Sequence, residues 1–146
     1  MSARKRVLIL CTGNSCRSQM AEGVLRHYGG DLYEVESAGS APSRVHPLAI
    51  RVMKEIGIDI SGHRSKHLKE FEGQRFDTVV TVCDNADRTC PAFPGGTQRL
   101  HWPFPDPPHA EPAAAEAVVE EFRKVRDLIH ARFREAARSG FGSAGR

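Results

Sequence analysis

The chain has 146 residues and a formal net charge of +3, with 40% hydrophobic and 27% charged residues. This composition is typical of a folded domain, and the mild basic excess forms no concentrated stripe of the kind that binds nucleic acid. No apolar run approaches the ~20 residues of a membrane span, and the apolar stretch after the basic N-terminus is too short for a secretory signal. We therefore expect one cytoplasmic domain over residues 1–138 and a flexible tail over residues 139–146, with neither nucleic acid nor membrane as a partner.

Along the chain, short apolar strand patterns alternate with stripes of apolar residues at helical spacing. The first run, Val7–Leu10, is typical of a strand that is buried on both faces. The predicted order is strand 7–10, helix 20–28, strand 33–37, helix 48–56, strand 77–82, strand 99–102 and a long helix from residue 113. This alternation predicts a three-layer α/β/α fold with a four-stranded parallel sheet, in which ligands bind beyond the carboxyl ends of the strands.

The segment CTGNSCRS at residues 11–18 lies between the first predicted strand and the first predicted helix. Gly13 and Asn14 tolerate unusual backbone angles, so the loop can curl and direct its N–H groups at one anion. Arg17 adds a planar fork of donors that suits a tetrahedral oxyanion. We expect the same positive field to lower the pKa of the Cys11 thiol and to make it a nucleophile. A plain strand-to-helix turn with a buried thiol is the alternative, and the position of the loop disfavours it.

Five motifs follow one another along the chain between residues 11 and 107. They are CTGNSCRSQMAEG at 11–23, VESAG at 35–39, IDISGHRS at 58–65, TVCDNADRTCP at 81–91 and HWPFPDP at 101–107. In this order they resemble the motifs of the low-molecular-weight protein tyrosine phosphatase superfamily, and most closely those of the arsenate reductases built on that fold.

The resemblance implies a role for each motif at one site. Cys11 is the implied nucleophile, and Asp106, held between prolines, is the implied acid that protonates the oxygen leaving the oxyanion. The implied oxyanion-binding residues are Thr12, Gly13, Asn14, Ser15, Cys16, Arg17 and Ser18.

Two departures from the phosphatase pattern favour the reductase branch. Asp106 and Pro107 are followed by Pro108 and His109, whereas phosphatases of this fold usually have Tyr or Phe there as an aromatic wall. The pair Cys83 and Cys90, which those phosphatases generally lack, matches the redox cysteines of the reductases. Arsenate rather than a phosphoester is therefore the expected substrate.

The implied reaction is a relay of three thiols. Cys11 attacks arsenic, Cys83 then attacks the Cys11 sulfur and releases arsenite, and Cys90 finally traps Cys83 in a disulfide. Because Cys83 ends a parallel strand, we expect it at the same sheet edge as Cys11. If the segment DNADRT is helical, Cys83 and Cys90 lie about 10 Å apart along its axis, whereas a disulfide needs Cα atoms within about 7 Å. We therefore expect this segment to unwind on oxidation.

Several of these residues also have simpler explanations. We expect Cys16 to pack rather than react, and we expect the Ser18 hydroxyl to contact the nucleophile rather than only to start a helix. Asp106 has the alternative of a turn residue. Cys83 and Cys90 have the alternatives of buried hydrophobes or metal ligands, and no Cys-x-x-Cys or His-x-x-x-His pair supports a metal.

No bound metal or cofactor is expected. Some relatives bind potassium beside the loop, with ligands that match Asn14, Glu22, Ser37 and an acidic residue after the serine at position 65. Here Lys66 follows that serine, and its ammonium would repel a cation. We therefore expect weak or no potassium binding.

The resemblance thus implies an arsenate reductase that binds arsenate or phosphate and is regenerated by an external thiol. Three cysteines suited to an internal relay favour thioredoxin over glutaredoxin with glutathione as that thiol, and the chain is expected to act as a monomer. The first alternative is a phosphatase for tyrosine phosphate or a small phosphoester, and the second is a non-enzymatic oxyanion or redox sensor.

Overall fold

Four parallel strands form one sheet in the computed structural model, which describes residues 4–91, 93–94, 96–108 and 115–142. The strands are β1 Lys5–Cys11, β2 Tyr33–Gly39, β3 Thr78–Thr81 and β4 Gln98–His101, and their spatial order is β2-β1-β3-β4. The helices are α1 Arg17–Gly29, α2 Pro47–Glu55, α3 Asp84–Thr89 and α4 Glu116–Ser139, with a 3₁₀ turn at Leu68–Phe71. The predicted α/β class and the four-stranded parallel sheet are confirmed.

Strand β1 lies inside the sheet between β2 and β3, and its sequence explains why. Val7, Leu8 and Ile9 are fully buried, as expected for a strand whose two faces are both covered. Strand β4 lies at the sheet edge, and its residues alternate between half-buried and exposed positions. The uninterrupted apolar run therefore marks the strand that supports the centre of the molecule.

The register of β1 and β3 sets the position of two cysteines. Leu10 pairs with Thr81 in parallel register, and the Val82 N–H donates to the Leu10 carbonyl at 2.9 Å. The two strands therefore end at the same level, and Cys11 and Cys83 leave the sheet at its carboxyl edge. This is the arrangement predicted for parallel strands.

Helices α1, α2 and α4 pack against one another beside the sheet. Helix α4 buries an apolar stripe at helical spacing, which includes Phe122, Val125, Ile129 and Phe133. The predicted start of this helix at residue 113 lies outside the described residues. None of the described helices is long and apolar enough to cross a bilayer.

The flexible tail predicted from residue 139 differs from the structure over its first part. Helix α4 continues to Ser139, and Gly140, with a φ of +82°, turns the chain so that Phe141 is buried. The Phe141 ring stacks on Trp102 at a centroid distance of 5.5 Å and contacts Tyr33 edge-on. Residues 139–142 therefore belong to the packed domain, and residues 143–146 lie outside the described part of the chain.

Replacing Phe141 with alanine should lower the free energy of unfolding by about 3 kcal/mol, because the ring leaves a cavity beside Trp102. Urea denaturation followed by fluorescence of Trp102, the single tryptophan of the chain, measures the change. Leu32→Ala is the matched control, since Leu32 is 59% exposed and should change stability little. Equal stability of Phe141→Ala and the parent would show that residues 139–142 add nothing to the fold.

Candidate active site

The cradle loop, residues 11–18, connects the end of β1 to the start of α1. Its carbonyl groups are held from outside by the outer loop, residues 40–46. Three backbone bonds do this: Ala41 N–H to Thr12 O at 3.0 Å, Ser43 N–H to Gly13 O at 3.2 Å, and His46 N–H to Ser15 O at 3.0 Å. In a trans peptide the N–H points away from the C=O, so the N–H groups that follow these carbonyls face the opposite, inner side of the loop. An inward-facing set of N–H groups is an anion-binding arrangement.

Gly39 allows the cradle loop to lie close to β2. It pairs with Cys11 across the sheet, and a Cβ at this position would lie 2.2 Å from the Thr12 carbonyl oxygen and 2.7 Å from that of Cys11. No side chain fits at such distances, so glycine is required by a close approach of two backbones rather than by an unusual φ.

The inner side of the cradle loop borders a cavity of about 220 Å³. Its lining residues are Cys11, Thr12, Gly13, Ser15, Cys16, Arg17 and Asp106. The sequence predicted all seven of these at the site. The side chains of Asn14 and Ser18 are instead fully buried behind the cradle loop, where they support it.

Arg17 is the cation of the cavity, and the loop that follows β4 positions it. Its Nη1 donates to the Phe104 carbonyl at 3.1 Å, and its Nη2 lies 3.5 Å from Asp106 Oδ1. Its Nε is buried and has no hydrogen-bond acceptor among the described residues. A buried donor without an acceptor is costly in a protein interior, and an oxyanion in the cavity would satisfy it.

Asn14 gives the cradle loop its curvature. It is the one non-glycine residue in the described chain with a positive φ, at +46°. Its Nδ2 donates to the hydroxyls of Ser18 and Ser37 at 2.8 and 2.9 Å, and its Oδ1 accepts from the Lys66 backbone N–H at 2.8 Å. These bonds hold the left-handed conformation in place. The predicted contact of the Ser18 hydroxyl with the nucleophile stays a prediction.

Cys16 is buried at the start of α1 and lines the cavity. Burial, together with the nearby Asp106 carboxylate, raises the pKa of this thiol to about 12. The expectation that Cys16 packs rather than reacts stays a prediction.

Cys83 lies at the edge of the cavity, where its Sγ is 3.4 Å from the Thr12 hydroxyl. Its thiol is close enough to Cys11 for each to shift the pKa of the other. The interaction with Cys83 and burial raise the pKa of Cys11 well above its usual value, although Arg17 acts in the opposite direction. The interaction with Cys11 is the main cause that lowers the pKa of Cys83 to about 5, with support from the Thr12 hydroxyl and the Ala86 N–H. The prediction that the field of the loop lowers the pKa of Cys11 is therefore wrong in its net direction, because Cys83 and burial outweigh Arg17.

The segment between Cys83 and Cys90 is helical and forms α3. Cys83 caps the start of this helix, and its Sγ accepts the Ala86 N–H at 3.4 Å. Cys90 follows the other end, is half-buried, and has its Sγ 3.4 Å from the Pro91 carbonyl. All four cysteines are free thiols. The fold thus brings Cys83 to Cys11 and leaves Cys90 about 10 Å further along the helix axis.

Two groups of site residues were missed by the sequence analysis. The outer loop carries the hydrogen bonds that orient the cradle loop, and its signal was its place directly after the strand that pairs with β1. Asn85 was treated only as a polar residue of a weakly held segment, but its Nδ2 donates to the Thr12 hydroxyl at 2.9 Å. That contact joins residues 73 positions apart and leaves no local signal.

The Lys66 side chain reaches Glu22, one of the residues that match the potassium ligands of some relatives. Its side chain is buried, and its Nζ lies 3.8 Å from Glu22 Oε1 and 3.7 Å from Glu36 Oε1. Glu22 also accepts the Ser37 hydroxyl, and Arg26 pairs with its other oxygen at 2.9 Å. The carboxylates of Glu22 and Glu36 thus lie beside the side chains of Lys66 and Arg26. Within the described chain, no group of three or more His, Cys, Asp and Glu residues is arranged to hold a metal ion.

The fold and the cavity define an α/β protein with a thiol at the base of an oxyanion-binding loop. Comparison with known proteins agrees with this class, because the family of low molecular weight phosphotyrosine protein phosphatases matches residues 6–139. The chain is 47% identical over 141 residues to an arsenate reductase from Halalkalibacterium halodurans, with 94% of this chain and 98% of that protein covered. The chain therefore belongs to the low molecular weight phosphotyrosine protein phosphatase family.

Solved structures show the same likeness. An arsenate reductase in a phosphate-binding state is 34% identical, with a TM-score of 0.72 over 94% of this chain and 99% of that chain. A thioredoxin-dependent arsenate reductase from Corynebacterium glutamicum is 30% identical, with a TM-score of 0.72 over 94% of this chain and 62% of that chain. The family's fold is thus found over nearly the whole chain.

Gly39→Ala should weaken phosphate binding by at least about tenfold, because the added Cβ displaces the Thr12 carbonyl and turns the cradle N–H groups away from the cavity. Calorimetric titration with phosphate measures the affinity. Gly62→Ala is the matched control, since nothing lies within 4 Å of a Cβ at that position. A Gly39→Ala variant that binds phosphate as tightly as the parent would contradict this account of the loop.

Potassium should not stabilise the protein specifically, because the Lys66 ammonium already lies beside Glu22. The melting temperature should be the same in potassium chloride and in sodium chloride at equal ionic strength. Lys66→Met removes the ammonium while keeping an apolar stem, and any potassium dependence should arise only in that variant. A potassium-specific rise in the parent would overturn the expectation.

Proposed function

We propose that this protein is an arsenate reductase that converts arsenate to arsenite by a relay through Cys11, Cys83 and Cys90. The observation that carries the proposal is a second thiol beside the oxyanion cavity: Cys83 Sγ lies 3.4 Å from the hydroxyl of Thr12, which lines the cavity together with Cys11. A hydrolase needs one thiol and water there, whereas a reductase needs a second thiol within reach of the first. Relatives named arsenate reductase, at 41 to 47% identity over most of the chain, support the same assignment.

In the first step Cys11 bonds to arsenic. The inward N–H groups of the cradle loop and the Arg17 guanidinium hold the oxyanion, and Cys11 Sγ attacks the arsenic atom. Asp106 delivers a proton to one arsenate oxygen, and that oxygen leaves as water. The step as a whole consumes the proton of the Cys11 thiol. Cys83 takes no part in this step. The product is a thioester-like bond between Cys11 sulfur and As(V).

In the second step Cys83 reduces the arsenic. Its thiolate attacks Cys11 Sγ, a sulfur–sulfur bond forms, and the sulfur–arsenic bond breaks with its electron pair on arsenic. Arsenic is thereby reduced from As(V) to As(III) and leaves as arsenite, while two thiols are oxidised to the Cys11–Cys83 disulfide. The position of Cys83 beside Cys11 suits this attack without any movement of the sheet.

In the third step Cys90 attacks Cys83 Sγ and returns Cys11 to its reduced form. The ends of α3 are too far apart for a disulfide, so this helix must unwind before Cys90 reaches Cys83. Its first turn is held to the rest of the protein by polar contacts, such as the 2.9 Å pair of Asp84 with His101. Such exposed ion pairs are weak, which favours local opening.

The oxidised protein then needs an external dithiol to reduce the Cys83–Cys90 disulfide. We assign that role to thioredoxin, on the basis of the thioredoxin-dependent relative and the internal relay. No bound cofactor is required by these steps. Because each turnover consumes a reducing dithiol, we place the reaction in the cytosol, with one chain as the working unit.

Residual hydrolysis of small phosphoesters is expected as a second activity. The cavity and Cys11 would hold and attack phosphate as they do arsenate, and the family is named after phosphatases. Water would then replace Cys83 as the second attacking group.

Cys83→Ser separates the two activities. Arsenite production in a coupled thioredoxin assay should fall by at least ~100-fold, because no thiolate attacks the Cys11 sulfur. Hydrolysis of p-nitrophenyl phosphate should persist in Cys83→Ser and disappear in Cys11→Ser. Cys90→Ser should release one arsenite per protein and then stop as the Cys11–Cys83 disulfide. Undiminished arsenate turnover in Cys83→Ser would disprove the relay.

A further inference from the structure

The Thr12 hydroxyl lies between Asn85 and Cys83. Its Oγ1 is 2.9 Å from Asn85 Nδ2 and 3.4 Å from Cys83 Sγ. The amide nitrogen can only donate, so the hydroxyl oxygen accepts from it and its single proton is left to point elsewhere. The acceptor on its other side is Cys83 Sγ. The two hydrogen bonds thus run in one direction: Asn85 of α3 donates to Thr12 of the cradle loop, and Thr12 donates to Cys83.

We propose that Asn85 is a positioning residue for the thiol exchange, which fixes the Thr12 hydroxyl as a hydrogen-bond donor to Cys83 and so keeps Cys83 ready to attack Cys11. The inference rests on the proposed function of Cys83 and adds a residue that touches neither the oxyanion cavity nor a reacting sulfur. Without the amide, the Thr12 hydroxyl is free to rotate, and Cys83 Sγ loses a donor for part of the time.

The other groups around Cys83 stay in place when Asn85 is changed. Cys11 of β1 and Arg17 of α1 face the thiol, and the Ala86 N–H caps it from α3. Asp84, also on α3, is paired with His101 of β4. Cys11, the Ala86 N–H and Arg17 support the lowering of the pKa of Cys83 to about 5. Removing the uncharged Asn85 amide changes none of these groups, and comparison with a Thr12 variant separates the effect that passes through Thr12.

Asn85→Ala is the suitable variant because it removes the amide without weakening α3, since alanine is the better helix former. Thr12→Val is its partner, because valine keeps the shape of threonine and lacks the hydroxyl. If Asn85 acts through Thr12, the effects of the two substitutions on the pKa of Cys83 must not add. If Asn85 only holds the helix, Asn85→Ala must change that pKa equally when the Thr12 hydroxyl is already absent.

The experiment titrates Cys83 by the ultraviolet absorbance of its thiolate in a Cys11→Ser, Cys90→Ser background. The reference protein carries the same two substitutions, so the loss of the Cys11 contribution is common to every variant that is compared. Cys16 stays silent there, because its pKa is raised to about 12. We expect the midpoint to rise by about half a unit in Asn85→Ala and by about one unit in Thr12→Val, with the double variant equal to Thr12→Val alone. Arg88→Ala, an exposed change on the same helix, should leave the midpoint where it was.

An unchanged midpoint in Asn85→Ala would overturn the proposal, and so would a shift that adds fully to that of Thr12→Val. Asn85→Ala is also tested for arsenite release in a protein that keeps all four cysteines. Release should be slow at acid pH, because less Cys83 is thiolate, and it should recover once the pH exceeds the raised pKa of Cys83. A deficit that is independent of pH would contradict it. If the titration behaves as expected and the parent turns over no arsenate, the proposed function fails while the role of Asn85 stands.

Discussion

The pairing of β1 with β3 is the constraint on which the rest of the site depends. Because the strands are parallel and end at the same level, Cys11 and Cys83 leave the sheet side by side although 72 positions separate them along the chain. The cradle loop then curls from the first strand end, and α3 begins from the second. The cavity, its nucleophile and the second thiol are therefore all consequences of one strand register.

The two thiols of the pair have different surroundings. Cys11 is buried beneath the cavity, where Arg17 favours its charge but contact with Cys83 opposes it. Contact with Cys11, the Thr12 hydroxyl and the helix N–H of Ala86 lower the pKa of Cys83. The two thiols therefore have opposite pKa shifts, and the proposed relay uses them in two different steps.

Much of the architecture was accessible from the sequence, and the misses have a common cause. The buried run at Val7–Leu10 and the apolar stripe of α4 are local periodicities, and the structure has both. The start of the tail was placed too early because Phe141 follows a glycine and a serine, which look like linker residues. Its ring is buried only because Trp102 and Tyr33, which are distant in sequence, provide a surface for it.

Short-range patterns along the chain were enough to determine the order of strands and helices and the place of the cradle loop, because periodicity and motif spacing depend on neighbouring residues. The roles of the thiols were implied by the resemblance of the motifs and stay predictions. Only the tertiary structure decided that Cys83 lies beside Thr12, which loop orients the cradle carbonyls, and that Asn85 contacts Thr12. Each of these depends on atoms from separate segments that come within hydrogen-bonding distance after the sheet has formed, and no local pattern records such a distance.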